Sequence, residues 1–339
     1  MNTQPSIAVV VPYYQREPGI LRRAIASIFR QRGVSSCQVI VVDDGSPVPA
    51  AAELSEFHDG EPHIRVTVIE QQNAGPGAAR NAALDAVPSD VTFVAFLDSD
   101  DEWHPDHLHN AVRALSFGYD LYFSDFRFPD YKEKSAFVRA EKIEPQKHRL
   151  LDQGNSIYEY CGNMIDQILV VGNVIGTSNV VYRFATHRDL RFREAFYNGQ
   201  DYLFWLDFSC RTSKFVFSTK VECECGLGLN IYSGAAWGTA RLLNRLKNEL
   251  KLWHAVRELF SLTKEQDAGV LQRIASVRES IVLNLLHRLT HAKWIPATLL
   301  YEIARIDPYF PAWSTAIALR IAHRKLFRPR ASLETEAPE

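Results

Sequence analysis

The sequence has no long apolar segment and no excess of charge of either sign. It contains no run of the roughly 18 or more apolar residues that a membrane-spanning helix requires. Its 38 Lys and Arg residues nearly balance 40 Asp and Glu residues, so the charge gives no reason to expect nucleic acid as a partner. The beginning, MNTQPSIAVVVP, lacks the basic segment and apolar run of a signal peptide. We therefore expect a cytoplasmic globular protein.

Cysteine is scarce, and its distribution argues against a disulfide framework. The five residues, Cys37, Cys161, Cys210, Cys223 and Cys225, are odd in number and widely scattered. The last two form a C-x-C pair that could ligate a metal. No second Cys or His pair at zinc spacing accompanies it, so alternate positions of a strand explain the pair more simply. We expect five reduced thiols.

What the sequence does contain is a strand that ends in carboxylates. Val91–Asp101 reads VTFVAFLDSDD, and its apolar run predicts a central strand covered on both faces. Asp98, Asp100 and Asp101 follow at the end of that strand. Ligands of open α/β sheets bind beyond the carboxyl ends of the strands, and three neighbouring acids repel one another unless a cation lies among them. The stretch therefore favours a divalent metal site over a simple polar turn.

Strands and helices alternate in the N-terminal half. Apolar runs predict strands at residues 7–11, 39–42 and 64–69, and helical periodicity between Pro18 and Arg32 separates the first two. This rhythm implies right-handed crossovers. The predicted fold class is α/β, with a single Rossmann-like sheet, mixed but mostly parallel and flanked by helices, followed by a C-terminal helical region.

A glycine-rich turn opens the next helix. Asn73–Asn81 reads NAGPGAARN, and the helix is predicted to continue to about Val87. Glycines let a backbone approach a ligand closely, a helix N-terminus favours anions, and Arg80 could reach a phosphate or a base. The spacing is that of neither a P-loop nor a dinucleotide fingerprint, so a plain helix start explains the turn equally well.

The central part of the chain is less regular. A helix is predicted to end at Leu115 and a strand to occupy residues 120–126. Residues 129–154 are charged and aperiodic, which predicts a long surface loop able to close over a site. Residues 156–170 have helical character, and residues 176–182 return to strand character.

Two elements and a loop complete the predicted catalytic domain. Tyr202–Cys210 reads as an aromatic-rich amphipathic helix, with Asp201 as its N-cap or first-turn residue. Residues 215–225 alternate as a strand, and residues 226–234 form a glycine-punctuated loop. From about Ala240 the pattern becomes helical.

The chain is therefore divided into three parts. We predict a catalytic domain at residues 1–235, a helical region at 236–330 and a flexible tail at 331–339, with helices at residues 242–260, 267–289, 296–306 and 313–327. Basic residues accumulate between positions 314 and 330. A basic amphipathic terminus of this kind can lie on an anionic bilayer. A helix packed on the domain, with a solvated basic face, explains it equally well, and a homo-oligomer is also compatible with the sequence.

Four motifs together resemble one family. VVVPYYQR at positions 9–16, VVDDGS at 41–46, NAGPGAARNAAL at 73–84 and FLDSDDEWHPDHL at 96–108 have the order and spacing of the inverting family-two glycosyltransferases with an A-type nucleotide-sugar-binding fold. The resemblance covers roughly residues 6–235 and not the C-terminal hundred residues. A narrower resemblance, to glucosyltransferases that build succinoglycan-type exopolysaccharide repeat units, rests on PYYQREPGILRRAIASIF, GPGAARN, AFLDSDDEWHPDHL and GLGLNIYS.

The resemblance implies a UDP-sugar donor and Mn²⁺ or Mg²⁺ as cofactor. Asp44, with Asp43, would hold the uracil ring, Asp98 would contact ribose, and Asp100, together with Asp98, would bind the metal that bridges the diphosphate. The full donor-binding set that it implies is Pro12, Tyr13, Tyr14, Asp43, Asp44, Gly77, Arg80, Asp98 and Ser99.

The resemblance also implies a catalytic base. The family usually writes the catalytic turn as Glu-Asp, and this chain has Gln200-Asp201. Asp201 would accept the proton of the acceptor hydroxyl, and the loss of an acidic neighbour predicts a lowered pKa for it. Trp103, Tyr202 and Trp205 would stack on sugar faces of the acceptor, although packing is the simpler role for each aromatic ring.

The implied reaction is metal-dependent and inverts the anomeric centre. A hexose, with glucose as the expected sugar, would pass from a UDP-sugar to a lipid-linked oligosaccharide at the cytoplasmic face of the inner membrane. One alternative is a nucleotidyltransferase, but that class carries a lysine-bearing glycine loop after the first strand, where this chain has PYYQRE. Another is an inactive sugar-nucleotide-binding protein, for which Gln200 is the only indication.

Overall fold

The computed structural model describes residues 5–55, 57, 63–131, 133–226 and 235–327. The chain divides into two compact units, Met1–Ile231 and Tyr232–Glu339. Most of the predicted glycine loop at 226–234, residues 328–330 of the predicted basic terminus and the predicted tail at 331–339 lie outside the described residues.

The first unit is built on one sheet. In the described part of this unit its strands are β1 (Ile7–Tyr13), β2 (Cys37–Asp43), β3 (Ile64–Glu70), β4 (Phe93–Phe96), β5 (Glu102–Trp103), β6 (Leu121–Arg127), β7 (Arg149–Asp152), β8 (Ile157–Glu159), β9 (Val180–Arg183) and β10 (Phe215–Glu224). Their order across the sheet is β3-β2-β1-β4-β9-β6-β10-β8-β7, and β5 pairs with β10.

The sheet is mixed but mostly parallel, as predicted. β1 is parallel to both β2 and β4, β2 is parallel to β3, and β6 is parallel to β10. β9 lies antiparallel between β4 and β6, so those two strands point in the same direction. Six strands therefore run in the same direction and end at the same edge of the sheet: β1, β2, β3, β4, β6 and β10.

Position in the sheet explains the residue pattern of each strand. β1 and β2 are buried along nearly their whole length, because helices cover both faces of a parallel sheet. β3 pairs only with β2 and alternates buried and accessible residues, as an edge strand does.

Helices connect and cover these strands. They are α1 (Ile20–Phe29), α2 (Ala50–Leu54), α3 (Pro76–Asp85), α4 (His107–Ser116), α5 (Ala136–Ala140), α6 (Met164–Asp166) and α7 (Gln200–Ser209). α3 begins where the sequence predicts, because Gly75 adopts a positive φ of 91° and Pro76 supplies the fixed φ of a first helical residue.

Two predictions for the central segment are wrong. Residues 129–154, predicted to be a loop, contain α5 and β7. Residues 156–170, predicted to be helical, begin with β8 and continue as α6 and a π-type turn, Gln167–Gly172. β8 pairs with β10, and β7 pairs with β8. These long-range ladders override the local pattern, and the accessible edge accounts for the charge of β7.

The second unit is helical in its described part. Its helices are α8 (Ala240–Leu259), α9 (Lys264–Thr290), α10 (Ala297–Ile306) and α11 (Phe310–Phe327). Thr263 and Gln266 form a capping box that starts α9, which begins three residues earlier than predicted from periodicity. Among the described residues, no helix is both long and apolar enough to cross a membrane.

Candidate active site

The site lies at the edge where the parallel strands end. Because β1 is flanked by β2 and β4 in parallel register, the residues after all three strands are brought together there. The sheet therefore places the Asp43–Asp44 pair and the turn that carries Asp98 and Asp100 at the same edge, on either side of the end of β1.

Asp43 and Asp44 hold the loops that follow them. The two carboxylate oxygens of Asp43 accept the backbone N–H groups of Ser46 and Ala50, each at 2.7 Å. Asp44 accepts the backbone N–H groups of Ala74 and Gly75 at 2.8 Å. Both residues are buried. The glycine-rich turn before α3 is thus fastened to the end of β2.

The acidic turn after β4 is held from behind. The Asp101 N–H donates to the Asp98 carbonyl at 3.0 Å, and the Asp98 N–H donates to Ser178 Oγ at 3.0 Å. The Asp101 carboxylate is buried and accepts the Gly226 N–H at 2.8 Å. Burial and the charges of Asp100 and Asp98 raise the pKa of Asp101 well above its ordinary value.

The end of β10 approaches this turn so closely that only glycine fits. A Cβ on Gly226 would lie 1.7 Å from the Asp100 carbonyl oxygen. The backbone after β10 therefore closes against the turn that bears Asp100.

Arg80 connects the acidic turn to α7. Its guanidinium is buried, pairs with the Asp98 carboxylate, and donates to Gln200 Oε1 at 3.3 Å. The Phe192 ring lies against it, 5.3 Å from the guanidinium carbon. A Cβ added at Gly77 would lie 3.6 Å from the Gln200 side chain, which is an ordinary contact distance. Gln200 stands where the family usually has a glutamate, and in this structure its side chain accepts a hydrogen bond from Arg80.

Asp201 occupies the first turn of α7, as predicted. Gly199 precedes the helix with a φ of 78°, and the Asp201 carboxylate accepts the Tyr202 N–H at 2.9 Å. The predicted lowering of its pKa is wrong. Burial raises the pKa of Asp201, and the Arg80 charge only partly opposes that effect. A glutamate at position 200 would have raised the pKa of Asp201 further, but burial raises that pKa even without an acidic neighbour.

Three aromatic assignments are wrong. Trp103 is 2% exposed and Trp205 is 0% exposed, so neither has a ring face available to a sugar. The Trp103 indole donates to the Ser178 carbonyl and supports the acidic turn. Tyr13 belongs to the hydrophobic core, and burial raises its pKa to about 12. Tyr202 is only half-buried and stays a candidate for acceptor contact; its hydroxyl donates to the Ile168 carbonyl at 2.7 Å.

The remaining donor-site predictions are placed as follows. Pro12 and Tyr14 are half-buried at the end of β1. Ser99 is buried and accepts a hydrogen bond from the Gln15 side chain at 3.3 Å, so its hydroxyl does not face solvent.

Residues that the sequence analysis missed hold these groups in place. Besides Ser178 and Gln15, Asn81 uses its amide to bind both the N–H and the carbonyl of Phe192. Asn81 lies in the glycine-rich motif, which was a usable signal. Ser178 lies in a segment of strand character, and nothing local marks it as a partner of residue 98.

The residues present fit a divalent ion that a donor completes. Asp98 and Asp100 are half-buried and reachable from solvent, whereas Asp101 is committed to Gly226. Across the described ranges, no three His, Cys, Asp or Glu side chains converge as a ligand set. Mg²⁺ is usually held by one or two carboxylates together with substrate phosphates. Asp98 and Asp100 match that arrangement.

Comparison with known proteins assigns the family. The family model "Glycosyl transferase family 2" matches residues 8–169. The succinoglycan biosynthesis protein ExoW of Rhizobium meliloti is 36% identical over 256 residues, which cover 75% of this chain and 78% of ExoW. The chain belongs to glycosyl transferase family 2. The order and spacing of the four sequence motifs are thereby confirmed as the family's.

Solved structures of glycosyltransferases share the fold. Residues 1–349 of Staphylococcus aureus TarS superpose with a TM-score of 0.57 at 17% identity, covering 95% of this chain and 93% of that one. The mannosyltransferase PcManGT of Pyrobaculum calidifontis gives a TM-score of 0.55 at 16% identity, over 96% and 88% of the two chains. The predicted A-type glycosyltransferase architecture is therefore confirmed for this family-two glycosyltransferase.

Proposed function

We propose that this family-two glycosyltransferase transfers a hexose, with glucose as the expected sugar, from a UDP-sugar to a lipid-linked oligosaccharide in exopolysaccharide biosynthesis. The reaction inverts the anomeric centre and uses a divalent ion held by Asp98 and Asp100. Asp201 is the general base. The name of ExoW supports the exopolysaccharide context.

One arrangement carries this proposal. Buried Arg80 contacts both Asp98, after β4, and Gln200, at the start of α7. It therefore holds the acidic turn and the helix that bears Asp201 against each other. A donor bound at the acidic turn would present its anomeric carbon close to Asp201, which is the geometry that in-line displacement requires.

The nucleotide assignment has its own support. TarS has been crystallised with UDP and with UDP-GlcNAc, at TM-scores of 0.55 and 0.51 to this chain. PcManGT has been crystallised with GDP-Man and Mn²⁺. We assign UDP because the resemblance to the family implies a UDP-sugar donor, and GDP is the competitor that the experiment must include.

Asp201 would accept the proton of the acceptor hydroxyl. Its raised pKa makes it a stronger base than an exposed aspartate, and the Arg80 charge partly opposes that rise. Arg80 also neutralises Asp98, which limits repulsion between that carboxylate and a donor diphosphate. When bound, the divalent ion would offset the charge that develops on the departing diphosphate.

The acceptor would lie on the side of α7 where Tyr202 is partly accessible. The Tyr202 hydroxyl is fixed by the Ile168 carbonyl, so its ring is held beside the first turn of the helix. A fixed aromatic ring is suited to stacking on a sugar face.

The test begins with ligand binding. Thermal melting of the purified protein with UDP, GDP and CDP, each with Mn²⁺, Mg²⁺ or chelator, should show stabilisation by UDP that depends on metal. A ligand at about 100 times its Kd adds roughly 2.7 kcal/mol. Indifference to every nucleotide, or a preference for GDP, would contradict the donor assignment.

The catalytic role is tested with two variants of one helix. Asp201→Asn should leave UDP affinity nearly unchanged and reduce transfer by about 100- to 10,000-fold. Asp207→Asn is the matched control, because Asp207 lies in α7 but pairs with Arg193 at 2.9 Å. It should retain transfer. The configuration of the product, measured by NMR, reports inversion, and persistent transfer by Asp201→Asn would place the base elsewhere.

A further inference from the structure

The second unit displays large aromatic side chains around α10. Trp294 is 79% exposed, Tyr301 is 65% exposed and Tyr309 is 75% exposed. α10 has ten residues and is therefore about 15 Å long, with Trp294 just before it and Tyr309 just after it. With Arg305 these three residues are called the α10 surface.

Tyr301 and Arg305 face away from the interior of the unit. The buried residues of α10 are Leu299 and Ile303, which are four positions apart and thus share one face. Tyr301 and Arg305 are also four positions apart, and both are exposed. α10 is therefore amphipathic, with an aromatic and a cationic group on its outward side.

Trp294 is held in place by its backbone. Buried Arg288 donates to the Trp294 carbonyl and, at 3.0 Å, to the Gly238 carbonyl. The Lys293 N–H donates to the Arg288 carbonyl at 2.8 Å. The segment before α10 is thus fixed while the indole points outward.

The backbone on either side of Tyr309 is fixed as well. Asp307 is buried and pairs with Arg278 at 2.6 Å, and its carbonyl accepts the Phe310 N–H at 2.9 Å. The Tyr309 carbonyl accepts the Trp313 N–H at 3.0 Å. Three aromatic rings are therefore kept exposed on an ordered backbone, although burial of each would be favourable.

The charge of this part of the unit is positive. Residues 288–327 contain six Lys and Arg residues and two acids. Glu302 pairs with Lys247 at 2.7 Å, and Asp307 pairs with Arg278 in the interior. Both acids are therefore neutralised within the unit, and Lys293 and Arg305 give the outward side its charge.

We infer that the α10 surface binds the headgroup region of an anionic lipid bilayer. Trp and Tyr have an apolar ring with a polar group and are enriched at membrane–water interfaces, and each basic residue near an anionic surface adds attraction. The inference rests on the proposed function in one respect, since a lipid-linked acceptor would present its sugars at such a surface.

The α10 surface lies outside residues 314–330, the basic terminus whose sequence pattern is compatible with an anionic bilayer. Most of those residues belong to α11. The α10 surface is earlier in the chain and carries the aromatic rings. Leu319 on α11 is also exposed and provides a way to separate the two surfaces.

The test is sedimentation of the full chain with vesicles. Vesicles that contain phosphatidylglycerol should bind the protein, and vesicles of phosphatidylcholine alone should bind it at least tenfold more weakly. Combined replacement of Trp294, Tyr301 and Tyr309 by Ser should reduce binding to the anionic vesicles by roughly tenfold or more. Arg305→Gln should reduce it about fivefold. All of these side chains are exposed, so folding should be preserved.

Two controls match the variants. Trp237→Ser removes another exposed indole of the same unit, and Leu319→Ser alters α11. Both should bind vesicles as the unaltered chain does. Unchanged binding by the α10 variants, equal binding to neutral vesicles, or loss only with Leu319→Ser would overturn the inference.

A second copy of the chain is the competing occupant. Sedimentation velocity of the unaltered protein and the triple variant decides this point, because a dimer that dissociates on replacement would also overturn the inference. Metal-dependent stabilisation by UDP should be the same in all variants. Its loss would count against the proposed function, whereas loss of vesicle binding alone would concern only the α10 surface.

Discussion

Two strands that flank β1 both end in carboxylates, and the structure uses the two groups differently. After β2, the oxygens of Asp43 and Asp44 accept N–H groups from the loops that follow. After β4, Asp98 and Asp100 are half-buried, and the Asp98 carboxylate pairs with the Arg80 side chain. The first pair holds the loops that follow it, whereas the carboxylates of the second pair are partly exposed to solvent.

The difference lies in where the chain goes next. The chain after Asp43 returns to it within seven residues, and the glycine-rich turn returns to Asp44 after about thirty. The chain after Asp98 instead forms its own tight turn and leaves through β5. The similar sequences DD and DSD thus have different structural roles. We expect substitutions after β2 to lower mainly stability, and substitutions after β4 to lower mainly transfer.

The largest effect is expected at the end of β4. Asp100→Asn should reduce transfer by about 100- to 1,000-fold and abolish metal-dependent stabilisation by UDP, because the metal loses one of its carboxylate ligands. The free energy of unfolding of the ligand-free protein should change by less than about 0.5 kcal/mol. Initial-rate assays and thermal melting measure the two quantities.

Asp106→Asn is the matched control. Asp106 lies in the same motif, is exposed, and forms an ion pair with exposed Arg32 at 3.5 Å. It should keep both transfer and stabilisation by UDP. Full stabilisation by UDP in Asp100→Asn would remove Asp100 from the metal site and erase the contrast between the strand ends.

Much of this site could be predicted from local sequence. Apolar runs that end in acids identified the strands and their shared edge, and the Gly-Pro pair located the start of α3. These features depend on a few neighbouring residues, because strand formation, helix initiation and φ restriction are local effects.

The predictions that were wrong concern features that depend on contacts between residues distant in sequence. β8 exists because Glu159 pairs with Val216 of β10, and no local pattern contains that pairing. Trp103 lies among polar motif residues but, like Trp205, packs in the interior. The pKa of Asp201 rises because the surrounding chain desolvates it, which a change of one neighbour could not predict.

The second effect concerns stability at the end of β2. Asp43→Asn leaves one oxygen for two backbone N–H groups and turns an amide N–H₂ toward the other. The expected cost is about 2 kcal/mol of unfolding free energy, because the lost hydrogen bond involves a charged group. Denaturant unfolding measures it. UDP affinity, measured where both proteins are folded, should change less than about threefold.

This variant also tests the donor role that the resemblance implies for Asp43. A large loss of UDP affinity with unchanged stability would mean that Asp43 faces the base and that the contrast with β4 is wrong. Asp100→Asn, with the opposite pattern, is the internal comparison.

A smaller effect is expected behind the acidic turn. Ser178→Ala removes the acceptor of the buried Asp98 N–H and should raise the metal concentration for half-maximal transfer about fivefold, which corresponds to roughly 1 kcal/mol. The maximal rate at saturating metal should change little. Metal titration of initial rates separates the two quantities.

Ser124→Ala is the matched control for this change. Ser124 is buried nearby on β6, and its hydroxyl has no hydrogen-bond partner among the described residues. Its removal should leave the metal dependence unaltered. An equal shift in both variants would show that Ser178 acts through general packing and not through the Asp98 turn.

The smallest effect is a pH-dependent gain in stability when Asp201 is replaced. Asp201 is half-buried, and the hydrogen bond that its carboxylate accepts from the Tyr202 N–H only partly offsets the desolvation that raises its pKa. A raised folded-state pKa means that the folded protein binds more protons than the unfolded chain, so ionised Asp201 costs stability at about pH 7. That cost disappears as the pH falls through the folded pKa toward the unfolded value.

Asp201→Asn should therefore melt at a higher temperature than the unaltered protein near pH 7, and the difference should shrink in acid. Asp207→Asn, which loses the Arg193 pair, should shift melting in the opposite direction. A lower melting temperature for Asp201→Asn would mean that its carboxylate is stabilised in the fold, as the carboxylates after β2 are.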